Sequence, residues 1–284
     1  MQKLKVSHLT EYIFSDYVTL EPHRLLLRPR EGHDIHIMSS RLEITPRYQI
    51  RWHRDVYGNS VAVVNFLEAA NYLSIFSEVT LEHYEGDPLD FVVADYAVKH
   101  PFQYQQNEIP ELTPYLQPNY PQDQALLQTW LQSLDYNPGT TQTYVLLDTL
   151  SKHISQSLTY IIREEPGVKT PAQTLNDNSG SCRDFATLFM EICRLLNLAC
   201  RFVSGYLHAP STETGNASTH AWAEVYLPGP GWKGFDPTIG ELTGNRHIPV
   251  AVSRHPEWVP PVAGSFVGKT QIPKLIVNVQ VNTL

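Results

Sequence analysis

Cysteine is scarce in this chain: Cys182, Cys193 and Cys200 are the three among 284 residues, and they crowd into one short stretch. An odd number so clustered excludes the disulfide framework that staples small secreted domains. Reduced thiols suit a reducing compartment, so a cytoplasmic location is the expectation. No apolar run approaches the ~18–20 residues that a membrane-spanning helix needs. The opening stretch "MQKLKVSHLTEYIFSDYVTL" alternates polar and apolar residues where a signal peptide would carry an unbroken apolar core. Blocks of like charge are also missing, and the formal net charge is −8. That balance argues against nucleic acid or an anionic membrane as partner.

What remains is ordinary globular material, 42% hydrophobic and 18% charged. The length exceeds the ~100–150 residues of a typical domain, so two domains are expected. Residues 1–90 read as short strands. "KLKVSHLTEYIF" and "HIMSSRLEITP" alternate, and Tyr57, Gly58 and Asn59 separate two strand-like runs as a hairpin turn would. An antiparallel β-sandwich follows from that pattern. Residues 91–122 are rich in Pro, Gln, Asn and Tyr and read as a linker or extended strap. Residues 123–284 read as a second, catalytic-type domain that opens with helical patterns and continues with the strand candidates "ACRFVSGYL", "HAWAEVYL" and "GWKGFD". Leu126, Leu127, Trp130, Leu131 and Leu134 share one helix face, as do Leu146, Leu147, Leu150 and Ile154. Thr170-Pro171 opens a short helix as N-cap and first helical residue. The tail "PKLIVNVQV" alternates again and could add a strand to a sheet.

Residues 176–207, "NDNSGSCRDFATLFMEICRLLNLACRFVSGYL", place a thiol where a helix begins. Phe185, Ala186, Phe189, Met190 and Cys193 follow at helical spacing, and Asn197 ends the run. The first turn of a helix presents N–H groups without intrahelical partners and the positive end of the dipole, both of which favour an anion. The thiolate is the nucleophilic form of cysteine. Gly180 permits tight backbone geometry before the helix, and a nearby N–H could hold an oxyanion. Cys182 is therefore a candidate nucleophile.

"STHAWAEVYLPGPGWKGFDPT" supplies a candidate base in His220 and an orienting carboxylate in Asp236, on two strands joined by a Pro-Gly-Pro-Gly turn. A four-residue loop, 228–231, would pair Leu227 with Trp232 and set His220 and Asp236 on opposite faces. A five-residue loop, 227–231, puts them on one face as diagonal neighbours. The pairing of imidazole and carboxylate therefore requires the longer loop, or a bulge near Tyr226–Leu227.

"GSCRDFATLFMEICRLLNLACRFVSGY" followed by "HAWAEVYLPGPGWKGFDPT" resembles the core of the transglutaminase-like superfamily over residues 140–240. "EPHRLLLRPR" resembles the β-domain that precedes this core in bacterial transglutaminase-like proteins, and "VPPVAGSFVG" their C-terminal segment. The resemblance implies an α+β fold: a papain-like, transglutaminase-like catalytic core of helices packed on an antiparallel sheet, preceded by an N-terminal β-sandwich. It further implies Cys182 as nucleophile, His220 as base and acid, and Asp236 as orienter. The expected activity is thiol-dependent acyl transfer on a peptide, protein or amide substrate, with hydrolysis of a cysteine protease or amidase kind foremost. The alternatives are a protein-glutamine transglutaminase, in which an amine resolves the thioester, and a binding module that turns nothing over. No metal and no organic cofactor is called for.

Tyr160, Asn176 and Asn178 compete as a second oxyanion donor. Asp184 is expected to complement the helix dipole with Arg183 paired nearby. Cys193 and Cys200 read as buried structural thiols without the short spacing of a zinc site. Trp222 and Trp232 read as hairpin packing. His8, His33, His36, His53, His83, His100 and His153 are expected at the surface, while His208, His247 and His255 could line a cleft.

Overall fold

The computed structural model describes residues 1–84, 87–163, 165–208, 219–269 and 272–284. Six strands lead the chain: β1 (Gln2–Leu20), β2 (His23–Leu25), β3 (Ile35–Thr45), β4 (Tyr48–Arg54), β5 (Ser60–Phe66) and β6 (Ala70–His83). β1 and β6 pair antiparallel along nearly their whole length, and β3 extends that sheet. β2, β5 and β4 form a second sheet. Phe14, Val18, Leu20, Leu25, Val64, Leu73 and Ile75 close the space between the two sheets. Their alternation with exposed neighbours is what makes a sandwich from short strands.

The stretch 91–122 is not extended throughout, because α1 (Ile109–Leu116) forms within it. Its chain is strapped to the second half by a buried ion pair: Arg194 Nη1 lies 2.5 Å from Glu191 Oε1. That carboxylate also accepts from the N–H groups of Asn119 and Tyr120, and Arg194 donates to the Tyr115 carbonyl. Both charges are therefore saturated, as burial demands.

The second half runs α2 (Gln124–Leu131), α3 (Thr143–Ser157), β7 (Thr159–Tyr160), α4 (Pro171–Asn176), β8 (Ser179–Gly180), α5 (Cys182–Leu195), β9 (Cys200–Leu207), β10 (Thr219–Leu227), β11 (Gly231–Asp236), β12 (Glu241–Leu242) and β13 (His247–Ser253). β12, β11, β10, β9 and β13 make an antiparallel sheet in that order. Leu146, Leu147, Leu150 and Ile154 of α3 are all buried, and each such aliphatic side chain contributes about 1.5–3 kcal/mol. α4 opens on the Thr170 capping box with Pro171 next, and Asn197 turns the chain after α5 at φ +55°. α5 is buried on every side from Asp184 to Arg194, more completely than its apolar stripe alone indicates. The polar members of that helix survive burial because Asp184, Thr187, Glu191 and Arg194 each find partners.

The chain then returns to its start. β14 (Val262–Ala263) pairs with β2, β15 (Phe266–Val267) with β1, and β16 (Lys274–Thr283) with β1 from Leu4 to Ile13. Leu4, Val6, Leu81 and Val281 of the first sheet share one core cluster with Tyr206, Ile248 and Val250 of the second half. The Asn59 side chain bonds both N–H and C=O of Val252 at 2.9 and 2.8 Å, locking the β4–β5 turn to β13.

Three histidines expected at the surface are buried: His8, His83 and His100. Each spans a junction as a hydrogen-bonded imidazole. His8 reaches Tyr206 Oη at 2.9 Å and Thr10 Oγ1 at 3.0 Å, His83 the His247 carbonyl at 3.2 Å, and His100 the Leu196 carbonyl at 2.8 Å. Burial pushes His8 down to about 4 and lowers the other two, so all three stay neutral near pH 7. His8 falls on the inward phase of β1 with Leu4 and Val6, a signal that the alternation already carried. Among the described residues, no helix is long and apolar enough to cross a membrane.

Candidate active site

α5 begins at Cys182, with Ser181 as N-cap. At the first helical position the Cys182 N–H has no partner inside the helix. Gly180 is required by the approach of the same helix: a Cβ there would lie 2.9 Å from Asp184 Cβ and 3.1 Å from the Phe185 ring. Cys182 is half-buried, whereas Cys193 and Cys200 are fully buried, as expected of structural residues.

β10 and β11 pair Leu227 with Gly231 and Tyr226 with Trp232, without a bulge. This is the same-face register, but it is reached with a loop of Pro228, Gly229 and Pro230 and not with the longer loop anticipated. Gly229 at φ +104° and Gly231 at φ +79° supply the conformations that the tight turn needs. Carried one residue further, the register sets Asp236 against Trp222 and diagonal to His220. His220 itself opposes Gly205 of β9, where a Cβ would strike the Trp222 ring at 2.6 Å. Trp222 packs among Val203 and Val252, and Trp232 stacks under the Arg201 guanidinium, so both tryptophans serve packing.

Of the three sequence-derived residues, His220 and Asp236 meet directly, with His220 Nε2 2.6 Å from Asp236 Oδ2, and the Cys182 side chain acts electrostatically on the same ring. Burial works against a charged His220, but the charge and hydrogen bond of Asp236, together with the Cys182 sulfur, outweigh it and push it up to about 10. Asp236 is fully buried, yet the positive charge and hydrogen bond of His220 hold it well below the usual carboxylate range against that burial. The Thr238 N–H donates to Oδ1 at 2.9 Å.

His247, one of three histidines suggested as cleft residues, also reaches Asp236 Oδ2, at 3.1 Å. Burial lowers its basicity. His208 and His255 make no contact with the three: His208 sits beside Gln2, and His255 stacks on Trp258. The ligand-type atoms of His220, Asp236 and His247 lie within 4.8 Å of one another, a spacing that a metal ion could bridge. Both close contacts are accounted for as N–H donors on one carboxylate oxygen, so the arrangement is a proton-linked chain.

Tyr160 lies in the field of the site: burial first, then the charges of Cys182 and Asp236, raise its phenol. Its strand β7 runs parallel to β8, immediately before the nucleophile. Asn176 ends α4 and Asn178 lies in the turn after it, both exposed, with Asn178 at φ +51° reversing the chain. Asp184, in the first turn, and Arg183 each find partners nearby, but not each other. Asp184 accepts from Arg163 Nη1 at 2.8 Å, from the Lys169 N–H at 2.7 Å and from Ser181 N–H and Oγ at 2.8 Å. Arg183 instead donates to the carbonyls of Arg163 and Glu165. Neighbouring side chains on a helix point in different directions, so adjacency in sequence is a poor guide to pairing.

Residues 4–82 match the family model of the bacterial transglutaminase-like N-terminal region, and residues 132–237 that of the transglutaminase-like superfamily. An uncharacterized protein of Mycobacterium tuberculosis is 29% identical over an aligned 297 residues, spanning 98% of this chain and 92% of its own. One of Mycobacterium leprae is 23% identical over 290 residues and covers 95% of each chain. A solved structure described as a "Putative Cysteine Protease" from Cytophaga hutchinsonii has the same fold, with a TM-score of 0.75 at 19% identity over 100% of this chain and 91% of that one. At the coarse level the family models indicate the transglutaminase-like superfamily, and the Cytophaga hutchinsonii structure shows the shared fold alone.

Proposed function

We propose that this chain, which belongs to the transglutaminase-like superfamily, is a cysteine hydrolase that cleaves a peptide or amide bond through a thioester. The observation that carries the reading is the buried His220–Asp236 pair, with the helix-opening Cys182 side chain acting on the same imidazole. Nε2 of His220 is engaged by Asp236, which leaves Nδ1 for the sulfur. A thiolate beside an imidazolium is the reactive arrangement of a cysteine nucleophile.

The sulfur of Cys182 attacks the carbonyl carbon and forms a C–S bond while the carbonyl oxygen takes the negative charge. The Cys182 N–H, free of intrahelical bonding, and the Tyr160 hydroxyl are the donors we assign to that oxygen. His220 then gives its proton to the leaving nitrogen as the C–N bond breaks. Water, deprotonated by His220, attacks the thioester, and the C–S bond breaks to release the carboxylic acid and restore the thiolate. Asp236 keeps the ring oriented and its positive charge balanced throughout.

Mass spectrometry of a peptide-amide library incubated with the protein, with and without a primary amine, tests the reading. Hydrolysed products in both conditions are expected, and their loss in Cys182→Ala. Amine adducts in place of acids would transfer the assignment to amine-resolved acyl transfer. Cys182→Ala with undiminished turnover would remove the thiol from the scheme altogether.

A further inference from the structure

Asp236 accepts from two imidazoles, and the proposed reaction uses only one of them. We infer that His247 is a positioning residue that fixes the Asp236 carboxylate in the orientation that engages His220; the inference rests on the thiol-enzyme reading above. The direction of its hydrogen bond follows from its other nitrogen. The Gly244 N–H donates to His247 Nδ1 at 3.3 Å, so Nδ1 is the acceptor and the ring proton resides on Nε2, pointing at Asp236 Oδ2. His247 thus presents a neutral donor and brings no second positive charge to compete with His220.

The ring has little freedom. His247 opens β13, its backbone pairs with Leu207 of β9, and its carbonyl accepts from His83 of β6. Its face meets the Trp222 ring edge-on, with centroids 5.2 Å apart at 76°. The charged and titratable groups around it are Asp236, His220, Arg246 and His83. Apart from His220, the ring that the carboxylate has to orient, Asp236 is held among the described residues by the Thr238 N–H on Oδ1 and by His247 on Oδ2. His247, fixed on a different strand, holds Oδ2 in place independently of the movement of His220. Through His83, the N-terminal sheet supports the same residue, which connects the β-sandwich to the site at a point no motif reveals.

The test is the pH dependence of Cys182 alkylation by iodoacetamide in the full chain, read at Cys182 by peptide mapping, with melting temperature measured alongside. The wild-type labelling profile is the reference for the variants. His247→Leu, which fills the space without a donor, is expected to raise the midpoint by about one pH unit and slow labelling at pH 6 about tenfold. His247→Gln, whose amide N–H can occupy the place of Nε2–H, is expected to restore most of the wild-type profile. Should the Leu variant fail to fold, His247→Asn, whose amide stops short of Asp236, carries the same expectation. A wild-type midpoint in the folded non-donor variant overturns the positioning role. So does a Gln variant as impaired as Leu. A wild-type Cys182 that iodoacetamide leaves unlabelled across the whole pH range overturns the thiol reading itself, which is a separate outcome.

Discussion

Two carboxylates flank the nucleophile, and both are completely buried: Asp184 in the first turn of α5 and Asp236 at the end of β11. Their surroundings differ in kind. Asp184 is held by a guanidinium and by N–H and hydroxyl groups within 21 residues of it in the chain, none of which releases a proton near neutral pH. Asp236 is held by two imidazoles from different strands and one backbone N–H. A carboxylate surrounded by permanent donors can only fix geometry. One facing an imidazole can stabilise a charge that comes and goes, which is what proton transfer requires. The same residue type, equally buried, is structural in one place and suited to chemistry in the other.

The largest expected effect breaks the chemical member of the pair. Asp236→Ala should slow peptide-amide turnover by about 10²–10⁴-fold, less than Cys182→Ala, because orientation is lost and the nucleophile is kept. Equal losses in both variants, with a lowered melting temperature, would show that Asp236 holds the fold as well. The structural member is broken by Arg163→Ala, which strands the Asp184 charge in the interior. Urea unfolding should register about 3 kcal/mol of lost stability, while the alkylation midpoint of Cys182 stays near wild type. A midpoint that moved with Arg163 would erase the distinction between the two carboxylates.

A pH dependence sharpens the contrast. His220 has a folded-state value of about 10, above its unfolded 6.5. Its contribution to stability is therefore fully present below pH 6.5 and is lost as pH rises through about 10. Unfolding free energy measured over that window should fall with a slope of at most about 1.4 kcal/mol per pH unit, and His220→Gln should flatten the curve. The Asp184–Arg163 pair adds nothing to that slope, since the guanidinium does not titrate there. Smallest of all, Gly180→Ala should cost about 1–2 kcal/mol by thermal unfolding, because the new methyl meets Asp184 and the Phe185 ring.

Much of this arrangement is legible in the amino-acid sequence. The Cys182 helix start, the Thr170-Pro171 cap and the apolar faces of α3 and α5 rest on contacts within a few residues, which local periodicity records directly. His220 and Asp236 were readable because one hairpin joins them, so that only the parity of its register was in question. His247 and Arg163 were not readable as partners. Each belongs to an element whose approach to the site is set by the packing of sheets, and nothing in the neighbouring sequence marks it. The return of β16 to β1 was equally hidden, because alternation in a tail predicts a strand but not its partner.

The amino-acid order alone determined which elements form and where a thiol meets a helix dipole, since those depend on interactions that close over one or two turns. Tertiary structure decided which of twelve histidines serve the site, which stay neutral in the interior, and which carboxylate faces a titrating partner. The reason is physical: protonation and donor direction depend on burial and on groups brought together across the chain, and neither exists until the sheets have packed.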